Sequence, residues 1–179
     1  MKVKKFKKNK GVLIFITGLS GSGKSSIAKK IYPLINKMFG PTILINGDDL
    51  RKIFKLYGFS SKDRLENSKK FAKIFKIITK QNISILFAAV GMRHKTRSIF
   101  KKSVQNYFEI YIQASLKKIK KKNKKKIYKR FKSNIVGVDI SPEFPKNSDI
   151  KIKNDFNVSI NKLNKLLKEK LNNFRFDFN

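Results

Sequence analysis

Gly18-Leu19-Ser20-Gly21-Ser22-Gly23-Lys24-Ser25 fits the spacing G-x-x-x-x-G-K-[ST] at every fixed position, and its flanks decide the fold. Residues 12–17, Val-Leu-Ile-Phe-Ile-Thr, are short, apolar and β-branched, as a strand buried on both faces requires. Residues 26–31, Ser-Ile-Ala-Lys-Lys-Ile, open a helical pattern, so the motif sits in the strand, loop, helix setting of a phosphate-binding loop. Gly18, Gly21 and Gly23 let the backbone turn tightly and aim N–H groups at phosphate oxygens, where side chains would block the approach. Lys24 is suited to bridging β and γ phosphates and the Ser25 hydroxyl to ligating Mg²⁺, while the helix N-terminus adds partial positive charge. A nucleoside triphosphate is therefore expected to contact Gly18, Leu19, Ser20, Gly21, Ser22, Gly23, Lys24, Ser25 and Ser26. A glycine-rich turn that merely enters a helix would leave Lys24 and Ser25 unexplained.

At 179 residues the chain has the length of one domain, enough to bury a core without disulfides or metals. It has no cysteine, which excludes disulfides, thiolate catalysis and zinc-thiolate sites and points to a reducing compartment, the cytoplasm. Residues 1–10 followed by an apolar run imitate a secretory signal, but cleavage near residues 20–23 would destroy the phosphate loop. The apolar run at 83–90 falls far short of the ~20 residues that span a bilayer, so no membrane partner is expected. A formal charge of +33 invites a nucleic-acid partner. Lysine, asparagine and isoleucine are abundant together along the whole chain, however, which reads as compositional bias and leaves at most non-specific nucleic-acid binding.

Residues 1–10 form a lysine-dominated arm, expected to be mobile, and residues 11–179 the kinase-like domain. A first helix is expected from Ser25 towards Phe39, kinked or shortened by Pro33 and ended by Gly40-Pro41. Strands follow at 42–46, 83–90, 108–112 and, at an edge, 149–152. Ser60 or Ser61 is placed to cap a helix starting near Asp63, with Leu65, Ala72, Phe75 and Ile78 on its apolar stripe. Another helix covers 96–106, and Ile160, Leu163, Leu167, Leu171 and Phe174 form the stripe of a closing one. Residues 115–132 are strongly basic, either a solvated helix face or a lid that touches phosphate. The alternation predicts an α/β fold of the P-loop NTPase type: a mainly parallel five-stranded sheet, helices on both faces, ligands beyond the carboxyl ends of the strands, and a basic lid.

Several separated stretches together resemble the adenylyl-sulfate kinases, which phosphorylate the ribose 3′-hydroxyl of adenosine 5′-phosphosulfate with ATP and Mg²⁺. They are the phosphate loop, Gly47-Asp48-Asp49-Leu50-Arg51, Gly58-Phe59-Ser60 and Asp63-Arg64-Leu65-Glu66-Asn67. Phe108-Glu109-Ile110-Tyr111, Ile127-Tyr128-Lys129, Gly137-Val138-Asp139 and Pro145-Lys146-Asn147-Ser148-Asp149 extend the likeness over about residues 12–152. Many ATPases share the first stretch, whereas the Gly-Phe-Ser and Asp-Arg-x-Glu-Asn segments are narrower and carry the assignment. The resemblance implies ATP and Mg²⁺ as cofactors, Lys24 and Asp48 as catalytic residues, and metal contacts from Ser25 and Asp48. It places the nucleotide acceptor against Asp48, Arg51, Phe59, Arg64, Asn67, Lys125 and Ile135, and implies a homodimer.

The family usually has Asp-Gly-Asp where this chain has Asn46-Gly47-Asp48, so metal handling rests mainly on Asp48. In the lid, Arg-Asp-Pro-Lys-Gly-Leu-Tyr becomes residues 122–128, keeping Lys125 and Tyr128. Phe-Thr-Gly becomes Ile135-Val136-Gly137, which removes one aromatic wall of the base sandwich opposite Phe59, and a Ser-Pro after the third strand is replaced by Gly91-Met92. Adenosine 5′-phosphosulfate is the first expectation for the acceptor. Another nucleoside 5′-anhydride such as cytidine diphosphoramidate is the alternative, with a nucleic-acid-binding module behind both. His94 is the only histidine, and with Arg93 and Arg97 beside it an exposed cationic turn is expected there, without a catalytic role.

Overall fold

The structure, a computed structural model, describes residues 1–122 and 134–179. Its centre is β2 (Val12–Thr17), every residue of which is buried. On one side β2 pairs with β4 (Ser84–Ala88), which pairs with β3 (Thr42–Asn46). On the other it pairs with β5 (Asn106–Gln113), which pairs with β6 (Ile150–Lys153). All four pairings are parallel, giving five strands in the order β3-β4-β2-β5-β6. The chain builds one side of β2 and then crosses to the other, so a switch point falls at the carboxyl end of the strand that runs into the phosphate loop.

Alternation along the strands feeds two apolar layers. Ile14 and Ile16 face a layer with Ile27, Ile31 and Ile35 of α1 (Lys24–Phe39) and Leu163, Leu167 and Leu171 of α6 (Ile160–Asn172). Leu13 and Phe15 face the opposite layer, with Phe71 and Phe75 of α3 (Ser61–Lys80) and Phe100 of α4 (His94–Ser103). Two shorter helices lie near the carboxyl ends of the strands: α2 (Gly47–Ile53) directly after β3, and α5 (Leu116–Lys122) shortly after β5.

Two expectations are corrected, and of the two effects expected of Pro33, a kink or a shortening, the shortening does not occur. Pro33 lies inside α1 without shortening it; Pro33 and Lys29 are both exposed, so the carbonyl that loses its donor lies on the solvent side of the helix. Phe174 does not continue α6; it opens β7 (Phe174–Phe178). The lysine-rich arm is not free, because β1 (Lys2–Phe6) pairs in parallel with β7, from Lys2 opposite Phe174 to Phe6 opposite Phe178. Phe6 is buried, stacking on Phe176 at 5.7 Å and meeting Phe39 edge-on at 6.1 Å. Aromatic burial outweighs the polarity of the three lysines of β1.

Candidate active site

The phosphate loop leaves β2 and enters α1 through Gly23, whose φ of 97° favours glycine. Gly18 is a close approach: a Cβ there would lie 2.5 Å from the Ile112 carbonyl oxygen. The first turn of α1 has no acidic residue and no side-chain cap, so its N–H groups and partial positive charge are not offset by a carboxylate. Lys24 is buried, and its Nζ donates to the Leu19 carbonyl at 2.7 Å, holding the ammonium against the loop. Ser25 is half-buried and Ser26 exposed in the same turn.

At the carboxyl end of β3, Asn46 is the N-cap of α2, and Asp48 and Asp49 are exposed in that helix's first turn. The Asn46 Nδ2 donates to Asp49 at 3.0 Å, while its Oδ1 is buried without a hydrogen bond. Among the described residues no three histidine, aspartate or glutamate side chains form a metal cage. A hydroxyl at Ser25, a carboxylate at Asp48 and the orphaned Asn46 oxygen are hard donors that fit Mg²⁺, which keeps waters and binds largely through substrate phosphates.

The expected acceptor residues divide. Arg51, Phe59 and Arg64 come together: the Arg51 guanidinium lies 4.0 Å from the Phe59 ring centre and that of Arg64 5.5 Å. Arg51 donates to the Gly58 carbonyl. Arg64 Nε donates to the Phe59 carbonyl at 2.8 Å and its terminal nitrogen to the Asn134 carbonyl at 2.9 Å, which brings the turn containing Ile135 to the same place. Burial lowers the pKa of Arg51, and pushes that of Arg64 down to about 10 with help from the neighbouring Arg51 charge. Both remain cations at neutral pH. Asp63 offsets part of this desolvation for both guanidiniums and Asp48 part of it for Arg51, and the remaining positive charge favours a further anion. Asn67 is buried one turn beyond Arg64, and Ile135 is buried with its N–H donating to Asp139 at 2.8 Å. Lys125 lies outside the described residues, as do Ile127, Tyr128 and Lys129.

The sequence reading missed the support behind these groups. Arg97 is buried, not part of an exposed cationic turn, and sits 3.7 Å from Glu109. It donates to the Gly91 carbonyl at 2.9 Å and meets His94 Nδ1 at 2.6 Å, while Tyr107 donates to Glu109 at 2.7 Å. Burial raises the Glu109 pKa, opposed by the Tyr107 hydrogen bond and the Arg97 charge. Arg97 thereby fixes the turn after β4, whose Val90 carbonyl accepts from the Thr17 hydroxyl at 2.6 Å and the Gly18 N–H at 3.4 Å. Asn154 was missed too: its Nδ2 donates to the Ser22 carbonyl at 2.9 Å. A polar residue just past the carboxyl end of a strand was the only signal for it. A separate cavity of about 170 Å³ lies among Lys10, Lys76, Lys80 and Lys102. Lys80 and Lys102 are in the last turns of α3 and α4, where they offset the carbonyl ends of those helices, so we place no site there.

The adenylylsulphate kinase family model matches residues 10–153. The chain belongs to that family. Among its relatives is a cytidine diphosphoramidate kinase of Campylobacter jejuni, 29% identical over 168 residues and covering 92% of this chain and 98% of the relative. An adenylyl-sulfate kinase of Acaryochloris marina is 32% identical over 148 residues, covering 79% of this chain and 72% of that one. The solved Mycobacterium tuberculosis APS kinase in complex with AMPPNP and APS superposes with a TM-score of 0.77 at 25% identity, covering 91% of this chain and 98% of that one. Like them, this member of the adenylylsulphate kinase family is an ATP-dependent kinase acting on a nucleotide.

Proposed function

We propose that this kinase transfers the γ-phosphoryl group of ATP to the ribose 3′-hydroxyl of a nucleoside 5′-anhydride, with adenosine 5′-phosphosulfate as its first acceptor in sulfate activation. The observation that carries the reading is the Arg51, Phe59 and Arg64 cluster, which offers two cations for an anhydride beside a ring for a base. Lys24 and the N–H groups that open α1 would hold the ATP phosphates. Mg²⁺ held by Ser25 and Asp48 would supply charge neutralisation between the phosphates. Asp48 would accept the proton of the attacking hydroxyl, Asn67 would assist the grip on the acceptor, and Lys125 would add charge from the lid. The expected setting is cytoplasmic and homodimeric, with nucleic acid bound only non-specifically.

A second acceptor, cytidine diphosphoramidate, is favoured by Ile135. This aliphatic side chain stands where the family has an aromatic wall, and base stacking is worth about 1–3 kcal/mol, so adenine loses more than a smaller pyrimidine would. Full-length coverage of the Campylobacter jejuni relative supports the same alternative. The test is a panel of adenosine and cytidine 5′-phosphosulfates and diphosphoramidates, assayed for ATP-dependent 3′-phosphorylation. Adenosine 5′-phosphosulfate is expected to give the highest kcat/KM; higher values for the cytidine compounds would replace it as the acceptor and leave the kinase intact.

A further inference from the structure

Asn154 follows β6 immediately and is almost wholly buried, at 1% exposure. Its side chain is tied at both ends: Nδ2 donates to the Ser22 carbonyl at 2.9 Å and Oδ1 accepts the Phe156 N–H at 3.0 Å. Its own backbone N–H donates to the Gln113 carbonyl, at the end of β5, at 2.7 Å. A loop that gathers its N–H groups towards phosphate turns carbonyls outward, and Ser22 is fully buried, so that carbonyl needs a protein donor. We propose that Asn154 is a positioning residue for the phosphate loop, fixing the Ser22–Gly23 peptide so that the N–H groups opening α1 are held ready for the polyphosphate of ATP. The proposal rests on the reading that residues 18–25 hold those phosphates.

The peptide unit is planar, so anchoring the Ser22 oxygen also orients the Gly23 N–H. A hydrogen bond to that oxygen polarises the same peptide and strengthens its N–H as a donor. The amide packs directly on Gly23, where a Cβ would come within 3.1 Å of Asn154 Nδ2. The turn is held from its solvent side as well: Asp155 pairs with Lys118 of α5 at 2.8 Å and with Lys153 at 2.9 Å. Ile119, next to Lys118, reaches a second glycine of the loop, since a Cβ on Gly21 would lie 2.9 Å from its methyl group. Asparagine is the residue this place requires, because it must donate and accept at once. Aspartate has the same shape but sets a carboxylate oxygen against the Ser22 carbonyl and adds negative charge beside the phosphates.

The test compares the native chain with Asn154→Asp and Asn154→Ala, measuring calorimetric binding of ATP and of inorganic tripolyphosphate, the acceptor KM, and thermal unfolding. Both phosphate ligands are expected to bind about tenfold more weakly or worse, aspartate more affected than alanine, with the acceptor KM changed less than about twofold. Folded variants that bind both within about twofold of native, or that lose acceptor and ATP affinity equally, would overturn the proposal. Should neither variant fold, Asp155→Asn loosens the same turn from outside, and its ATP affinity is expected to fall about two- to fivefold. No change there contradicts the proposal. A native chain that binds neither ATP nor tripolyphosphate would instead remove the phosphate-loop reading beneath it.

Discussion

Arg64 is the residue whose surroundings say most about the acceptor. Its charge is kept at a desolvation cost, Asp63 in the same turn acts on it through charge alone, and its side chain donates to two carbonyls, those of Phe59 and Asn134. A cation so placed is the complement of an incoming anion. We therefore expect Arg64→Ala to raise the acceptor KM about tenfold or more while leaving ATP affinity unchanged, as read by steady-state kinetics and nucleotide titration. Equal loss of both would show that Arg64 only buttresses the Asn134 turn. Arg64 was legible in the sequence because Asp-Arg-x-Glu-Asn is a narrow pattern. Arg97 was not, since its significance comes from Glu109 on another element, and a local reading of Arg93-His94-Lys95-Thr96-Arg97 sees only exposed charge.

At the scale of elements, α3 carries Arg64 and Asn67 and is started by a capping box. The Ser60 hydroxyl accepts the Asp63 N–H at 3.1 Å, and the Ser60 N–H donates to the Asp63 carboxylate at 3.0 Å. Ser60→Ala is expected to cost about 1 kcal/mol of stability, read as a lowered Tm, because the first turn loses its acceptor. The Ser60 hydrogen bonds also lower the Asp63 pKa below the usual carboxylate range. A depressed folded value means the cap contributes fully above the ordinary carboxylate range and is lost as pH falls through the lowered value. The difference in Tm between native and Ser60→Ala should accordingly shrink in acid; a difference independent of pH would show that the carboxylate is not part of the cap. This helix was readable from Gly58-Phe59-Ser60 and its periodicity, although Leu65 and Ile78 are only half-buried and Phe71 was not foreseen.

For the whole molecule, the sheet and the phosphate loop were legible because short apolar runs and glycines at fixed spacing are local signals. The clasp of β1 on β7 was not, because Lys2-Val3-Lys4-Lys5-Phe6 shows its apolar contribution only when Phe174, Phe176 and Phe178 arrive from the other end of the chain. Asn154 was hidden for the same reason: its partner, Ser22, lies 132 residues away. The Asn154 tie ends at the carboxyl side of the sheet, where Asn154 and the Val90 carbonyl hold the phosphate loop between them. Everything proposed for this kinase depends on that loop being its ATP site. The most direct test is phosphoryl transfer from ATP by the native chain and by Lys24→Ala, with cooperative unfolding measured on both. Lys24→Ala is expected to stay folded and lose several orders of magnitude in turnover; transfer by Lys24→Ala at the native rate would show that the loop is not the ATP site.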